Sequence, residues 1–408
     1  MGHETNPFLL PSQVFIDGGD SSTLALTSKD GSSSVGNIKI QLFDDPDGYL
    51  VDNRGQQLPI HCTELAAGYL ALVLRHARRW FLHHQGGAYG RFDLRWMLNL
   101  GIPSAGFDDA QIRDLHRRIG QAAWWLSIQE GPITLEGASD GIQKTGKPGF
   151  DFGLSADSLS VVPEVAAEVV GYARSDFRRK DLHVMVDIGA STMDVCGFIL
   201  REQRGEDRYE LLTADVQKLG VFRLHMHRIN KVQACFRIWV RKELLPKDPI
   251  APILKDEGDY CPQQETLASL DDYWLDEDFS RACLTMMMTT LMGLKKHRYP
   301  GFPFPTERVP VFLCGGGSRS AFYKDLMNKA HERFRKAGHM GLESLQLPLP
   351  QLANRDLDQD KFQFLGVAYG LSYPSYDIGN IRPPSEIPSV DSPRKVDWQR
   401  YYVSKDQV

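Results

Sequence analysis

The stretch that most constrains this chain is residues 183–198, HVMVDIGASTMDVCGF. Two apolar runs flank a short polar bend and predict a buried hairpin. The bend carries Asp187, Gly189, Ser191, Thr192 and Asp194. Two readings are open: an ordinary tight turn, or a turn shaped for phosphate and a metal ion. Backbone amides approach phosphate oxygens closely only where residues are small. A hydrated Mg²⁺ needs a nearby carboxylate, because magnesium keeps several waters and takes few protein ligands. The bend supplies Asp187 for the ion, Gly189, Ala190 and Ser191 as an amide cradle, and the Thr192 hydroxyl. Asp194, on the returning strand, would brace the turn.

A second glycine run has similar chemistry. Residues 310–327, PVFLCGGGSRSAFYKDLM, read as a buried strand that ends in three glycines and opens a helix. Such a loop lets a ribose or a flat ring lie against bare backbone, with Arg319 free to stack on a base. A plain strand-to-helix connection is the other reading.

Around these motifs the pattern alternates between strand and helix, which argues α/β architecture. Short strands are expected within 12–46, then an amphipathic helix over about 63–82 capped by Thr63, with Arg75, Arg78 and Arg79 on a solvated face. A strand is expected at 95–104, a helix over 108–126, and short strand-like segments at 133–139 and 159–164. Further helices are expected over 164–173, 221–244, 276–294 and 319–337, with 246–270 as loop. A last helix stops near Tyr373, and 374–408 reads as an extended, Pro-rich tail.

Several function classes are set aside. The net charge of −5 gives no reason to expect nucleic-acid binding. No apolar run is long enough to span a bilayer, and the first ten residues lack signal-peptide character. The six cysteines fall in no C-x-x-C pair, so reduced thiols and a cytoplasmic setting are expected rather than a structural zinc site. His225 and His227, two apart on a helix, do not share a face and make a poor metal pair. CLTMMMTTLMGL, at 283–294, is expected to be a core helix.

Taken together, these motifs resemble the actin and DnaK-type chaperone ATPase superfamily. The hairpin, with VVPEVAAEVVGYA just before it, is similar to the family's second phosphate motif and connecting helix. VFLCGGGSRSAFYKDLM is similar to its adenosine motif, FLGVAYGLS to its closing helix, and LNLGIPSAGFDD to the strand and helix ahead of the connecting segment. The resemblance covers roughly 95–373 and implies a two-lobed, actin-like (ribonuclease H-like) α/β fold around a central nucleotide cleft. The implied parts are a first lobe over 1–182, a second over 183–373, and the tail. It also implies ATP or ADP with Mg²⁺, held by Asp187 through water. Gly189, Ala190, Ser191 and Thr192 would wrap the phosphates, and Glu164 would position the attacking water. Gly315, Gly316, Gly317, Ser318 and Arg319 would face adenosine. Leu219-Gly220 resembles the family's glycine pair near the nucleotide, but Val221 replaces the second glycine.

The family's first phosphate motif has two candidate explanations. FIDGGDSSTLAL offers Asp17, Gly19, Ser21 and Thr23, yet Asp20 would set a negative charge towards the phosphates. Alternatively, NPFLLPSQVFIDGG matches the segment that follows that motif, which would make the motif absent from this chain. Lys39 is a possible position for the family's early catalytic lysine. After Leu371 too little chain remains for a chaperone's peptide-binding β-sandwich. The expectation is therefore a stand-alone, Mg-dependent ATPase switch acting on a protein partner, with oligomerisation possible. A degenerate pseudo-ATPase scaffold is the alternative, and a small-molecule kinase fits less well.

Overall fold

A computed structural model of the chain describes residues 10, 12–17, 22–179, 181–236, 276–298, 308–350, 362 and 364–388. The expected loop at 246–270, the bend at 18–21 and the end of the tail lie outside these residues. In the N-terminal part, β1 (Gln13–Asp17), β2 (Thr23–Ala25) and β3 (Ser33–Gly36) form an antiparallel sheet in the order β2-β1-β3. Helix α1 (Ile38–Asp44) follows, then the hairpin β4 (Tyr49–Val51) and β5 (Gln57–His61), and the long helix α2 (Cys62–Tyr89). Strand β6 (Leu98–Ile102) leads through a 3-10 turn to α3 (Ala110–Ile128) and α4 (Leu135–Lys144). Strand β7 (Leu159–Pro163) pairs in parallel with β6 and runs directly into α5 (Glu164–Ala173).

Periodicity explains the packing of this part. Val14 and Ile16 alternate inward on β1, against Leu65, Ala67 and Ala71 of α2, Ile119 and Ala123 of α3, and Ala138 of α4. Three local expectations are corrected. Thr63 does not cap α2: its hydroxyl donates to Pro46 O at 2.8 Å, while the His61 backbone N–H donates to Glu64 Oε2 at 2.9 Å. The strand expected at 133–139 does not form: residues 135–144 are helix, because Thr134 Oγ1 caps Gly137 N at 3.0 Å and Leu135, Ala138 and Ile142 then share a buried face. Arg79 of α2 is exposed as expected, but Arg75 and Arg78 are not simply solvated. Arg75 donates to Leu126 O, Gln129 O and Gly131 O at the end of α3 and just beyond it, and Arg78 lies over the rings of Trp96 and Trp124.

The C-terminal part is organised by one mixed sheet. Strands β8 (Asp181–Ile188), β9 (Met193–Gln203) and β10 (Glu206–Gln217) make an antiparallel meander. After α6 (Val221–Phe236) and α7 (Glu277–Arg298), β11 (Val309–Cys314) pairs parallel to β8. Helix α8 (Ala321–Lys336) and β12 (Leu342–Leu345) follow, and β12 pairs parallel to β11. Helices α9 (Gly366–Leu371) and α10 (Ser375–Ile378) precede β13 (Asn380–Arg382), which pairs parallel to β10. The strand order is β12-β11-β8-β9-β10-β13. The molecule is thus a mixed α/β protein.

Both faces of this sheet are covered, which accounts for the continuous apolar runs of β8 and β9. Val184 and Val186 face α6, α7 and α8, whereas Met185, Cys196 and Phe198 face α5. In α7, Leu284, Met287, Leu291 and Leu294 are buried as expected of a core helix, and Met288 is partly buried against them. Cys62, Cys196, Cys283 and Cys314 are free and buried. The tail is not extended from its start. Residues 375–382 form α10 and the edge strand β13, and the Ser385 amide donates to Asp108 Oδ2 at 3.2 Å. His183 lies inside β8. It is fully buried between Phe198 and Phe312, with Nδ1 donating to Asp181 O at 2.9 Å and Nε2 facing Tyr172 Oη at 3.1 Å. Among the described residues no helix is long and apolar enough to cross a membrane.

Candidate functional site

Parallel pairing of β8 with β11 decides where the two glycine motifs meet. Asp187 and Cys314 are register partners, so the β8–β9 bend and the run from Gly315 leave the sheet side by side. At this end of parallel strands an α/β sheet opens its crevice. The approach is close enough to require glycine. Gly315 has φ +76°, and a Cβ there would stand 2.1 Å from Asp187 Oδ1. The Ser318 hydroxyl, itself buried, donates to Gly315 O at 2.7 Å and closes the 3-10 turn Gly316–Arg319. Side chains on Gly316 and Gly317 would strike Phe364 and Ile188, so their small size also serves packing of the chain on itself. Arg319 does not stand free: its guanidinium lies 6.0 Å from the centre of the Phe364 ring.

Helix α6 shapes the bend itself. The amides of Gly220, Val221 and Phe222 donate to Ser191 O, Gly189 O and Ala190 O at 2.9, 3.1 and 2.6 Å. The unsatisfied N–H groups of a helix start are thereby used on the carbonyls of the bend. Gly220 fits because a Cβ would come within 2.5–2.7 Å of the backbone at Gly189–Ser191. Its role here is to let the bend seat on α6. Gly189 N–H closes the bend onto Thr192 O at 2.9 Å. The amides of Ala190, Ser191 and Thr192 have no bonded partner among the described residues, and Ala190 is exposed.

Acidic side chains converge behind the bend. Glu164 opens α5, and its Oε1 accepts from Lys39 Nζ at 2.6 Å. Ser104, just past β6, ties two elements together: its N–H donates to Asp194 Oδ2 at 2.9 Å, and its Oγ accepts from Val165 N at 3.3 Å. Asp194 Oδ1 is buried with no partner among the described residues. Glu168, one turn after Glu164, is buried with Oε2 in the same condition. The Lys39 side chain is 65% accessible, so the pair it makes with Glu164 lies near the surface.

The charge balance follows from this geometry. Burial, then the Glu164 charge, raises Asp187 to about 6, against the pull of Lys39. Burial raises Asp194 to about 8; the Ser104 N–H opposes this, and the Glu164 and Asp187 charges add to it. Burial and then the Asp187 charge push Glu168 well above the usual carboxylate range. Lys39 is held above its ordinary value chiefly by Glu164. Lys39 thus offsets Glu164, Asp187 and Asp194, with Glu168 beside them, an arrangement that a further positive charge would stabilise. Among the described residues no group of three His, Cys, Asp or Glu is placed to hold a metal by protein ligands alone. A Mg²⁺ carried by Asp187, water and ligand oxygens fits this donor set, whereas an all-protein cage does not.

The structure therefore brings Glu164, Asp187, Gly189–Thr192 and Gly315–Arg319 to one region. Lys39 joins them as the sequence allowed. Asp17 instead faces Lys29, 3.4 Å away. Sequence reasoning missed Ser104 and Glu168. Glu168 had a signal, a lone acid four residues after Glu164 on an otherwise apolar helix face. No model of a known protein family and no curated protein matches this chain.

Proposed function

We propose that the chain is a two-lobed, actin-like nucleotide-binding protein of the chaperone-like kind. It takes Mg·ATP where the β8–β9 bend meets Gly315–Arg319, and works as an ATP-driven conformational switch on a protein partner. The observation that carries this reading is the contact of Asp187 with Gly315, flanked by the Lys39–Glu164 pair. The strand order of the C-terminal sheet, an antiparallel meander extended by two parallel strands beside β8, also supports it.

In this reading the free amides of Ala190, Ser191 and Thr192 and the Thr192 hydroxyl meet phosphate oxygens. Asp187 would hold Mg²⁺ through water, and the bound ion would supply positive charge against the phosphates. Glu164 orients the attacking water, and Lys39 fixes the Glu164 carboxylate. Asp194, tied to Ser104, keeps the start of α5 in register with the hairpin. A second reading, a scaffold that binds nucleotide without turning it over, is favoured by the Lys39–Glu164 ion pair, which engages the carboxylate needed for water.

Thermal unfolding with and without Mg·ATP tests the proposal. Millimolar Mg·ATP raises the Tm of the wild-type chain, and Asp187→Ala abolishes the rise. No rise in the wild type removes the nucleotide reading. A rise without Glu164-dependent phosphate release selects the scaffold.

A further inference from the structure

Among the described residues one cation bonds to the bend directly, and no motif pointed to it. Arg223, in the first turn of α6, donates from Nε to Ser191 Oγ at 3.1 Å and from Nη2 to Asp44 Oδ2 at 3.2 Å. Its Nη1 has no partner among the described residues. Asp44 ends α1, the same helix that carries Lys39, and its other oxygen lies 2.6 Å from Lys218 Nζ. Arg223 and Asp44 are each about one-third exposed, so the pair lies near the surface rather than in the core.

Lys39 is already committed to Glu164, and Arg319 lies over Phe364. That leaves Arg223 as the guanidinium bonded to the amide-bearing bend. A planar guanidinium binds phosphate oxygens in a fork, with charge on both partners. A partly exposed carboxylate pair is weak and exchangeable. Lys218 can retain Asp44 when Arg223 turns away, so exchange strands no carboxylate.

We propose that Arg223 is a polyphosphate-binding residue of this site and that Asp44 is its built-in competitor. An anion at the amides of Ala190–Thr192 takes the guanidinium from Asp44, and the release is transmitted to α1 and hence to Lys39. This inference rests on the phosphate-binding part of that reading and adds a preference for triphosphate over adenosine alone.

Calorimetric titration of the full chain tests it with Mg·ATP, Mg·ADP, adenosine and inorganic tripolyphosphate. Arg223→Ala weakens Mg·ATP by about tenfold or more, Mg·ADP less, and adenosine not at all. Arg223→Lys, which keeps charge but not the fork, falls between, and serves if the alanine variant does not fold. Asp44→Asn removes the competitor and tightens Mg·ATP by about two- to threefold. A merely structural role for the pair would make both substitutions weaken binding. Equal Mg·ATP affinity in wild type and Arg223→Ala overturns the inference, as does equal loss of adenosine. If the wild type binds tripolyphosphate through Arg223 but no adenine nucleotide, the nucleotide reading fails and the phosphate role stands. If it binds neither, both fail.

Discussion

The Lys39 ammonium lies 2.6 Å from Glu164 Oε1, although 125 residues separate them in the chain. The contact joins α1 to the start of α5, and it places the cation of the carboxylate cluster on an element of the N-terminal part. Asp187 and Asp194 add to the field that holds this lysine charged. Four buried or half-buried acids are tolerable together because a cation sits at their mouth and because protonation relieves the rest.

Removing Lys39 separates binding from chemistry. Lys39→Ala leaves Glu164 without its partner while leaving the bend amides and Asp187 in place. The Mg·ATP-induced rise in Tm is expected to persist, while single-turnover phosphate release drops by about 100-fold. Loss of both together would show that Lys39 holds the nucleotide rather than Glu164.

Asp194 gives stability a definite slope with pH. Its folded value of about 8 stands above the ordinary value of 3.8, so between these the folded chain holds more protons than the unfolded one. Its contribution is full below about pH 4 and is lost as pH rises towards 8. Asp194→Asn keeps an acceptor for Ser104 N–H but cannot ionise. Urea melts across pH 5–9 are expected to show a flatter profile for this variant, and a higher midpoint than wild type at pH 8–9.

His183 works in the opposite sense and in a lower window. Burial lowers it from 6.5 to about 4, so the unfolded chain binds the extra proton first. Stability is retained above about pH 6.5 and lost as pH falls towards 4. His183→Phe keeps a ring between Phe198 and Phe312 but takes the acceptor from Tyr172 Oη. It is expected to flatten the acid limb while lowering stability at pH 7 by about 1–2 kcal/mol, as read from denaturant unfolding.

Gly315 tests the closeness of the two motifs. Alanine there meets both a positive φ and the Asp187 carboxylate, so the backbone must shift or Asp187 must move. A loss of about 2–3 kcal/mol in unfolding free energy is expected, together with loss of the Mg·ATP-induced Tm rise. An unperturbed Tm rise would mean that Asp187 is not positioned by this contact.

The sequence by itself determined the elements whose signals are local. The β8–β9 hairpin, the strand–glycine–helix run at 309–336 and helix α5 all formed where apolar period, glycine and proline placed them. Residues 135–144 and 375–382 were misread because a single cap and an edge pairing outweighed the apparent strand and tail signals. Tertiary structure alone decided the partners: Lys39 with Glu164, Arg223 with Ser191 and Asp44, and Asp187 with Gly315. Turn and helix chemistry acts over a few residues and is written in them. An ion pair or a close backbone approach between distant segments depends on how helices stack on a sheet, which no local pattern encodes.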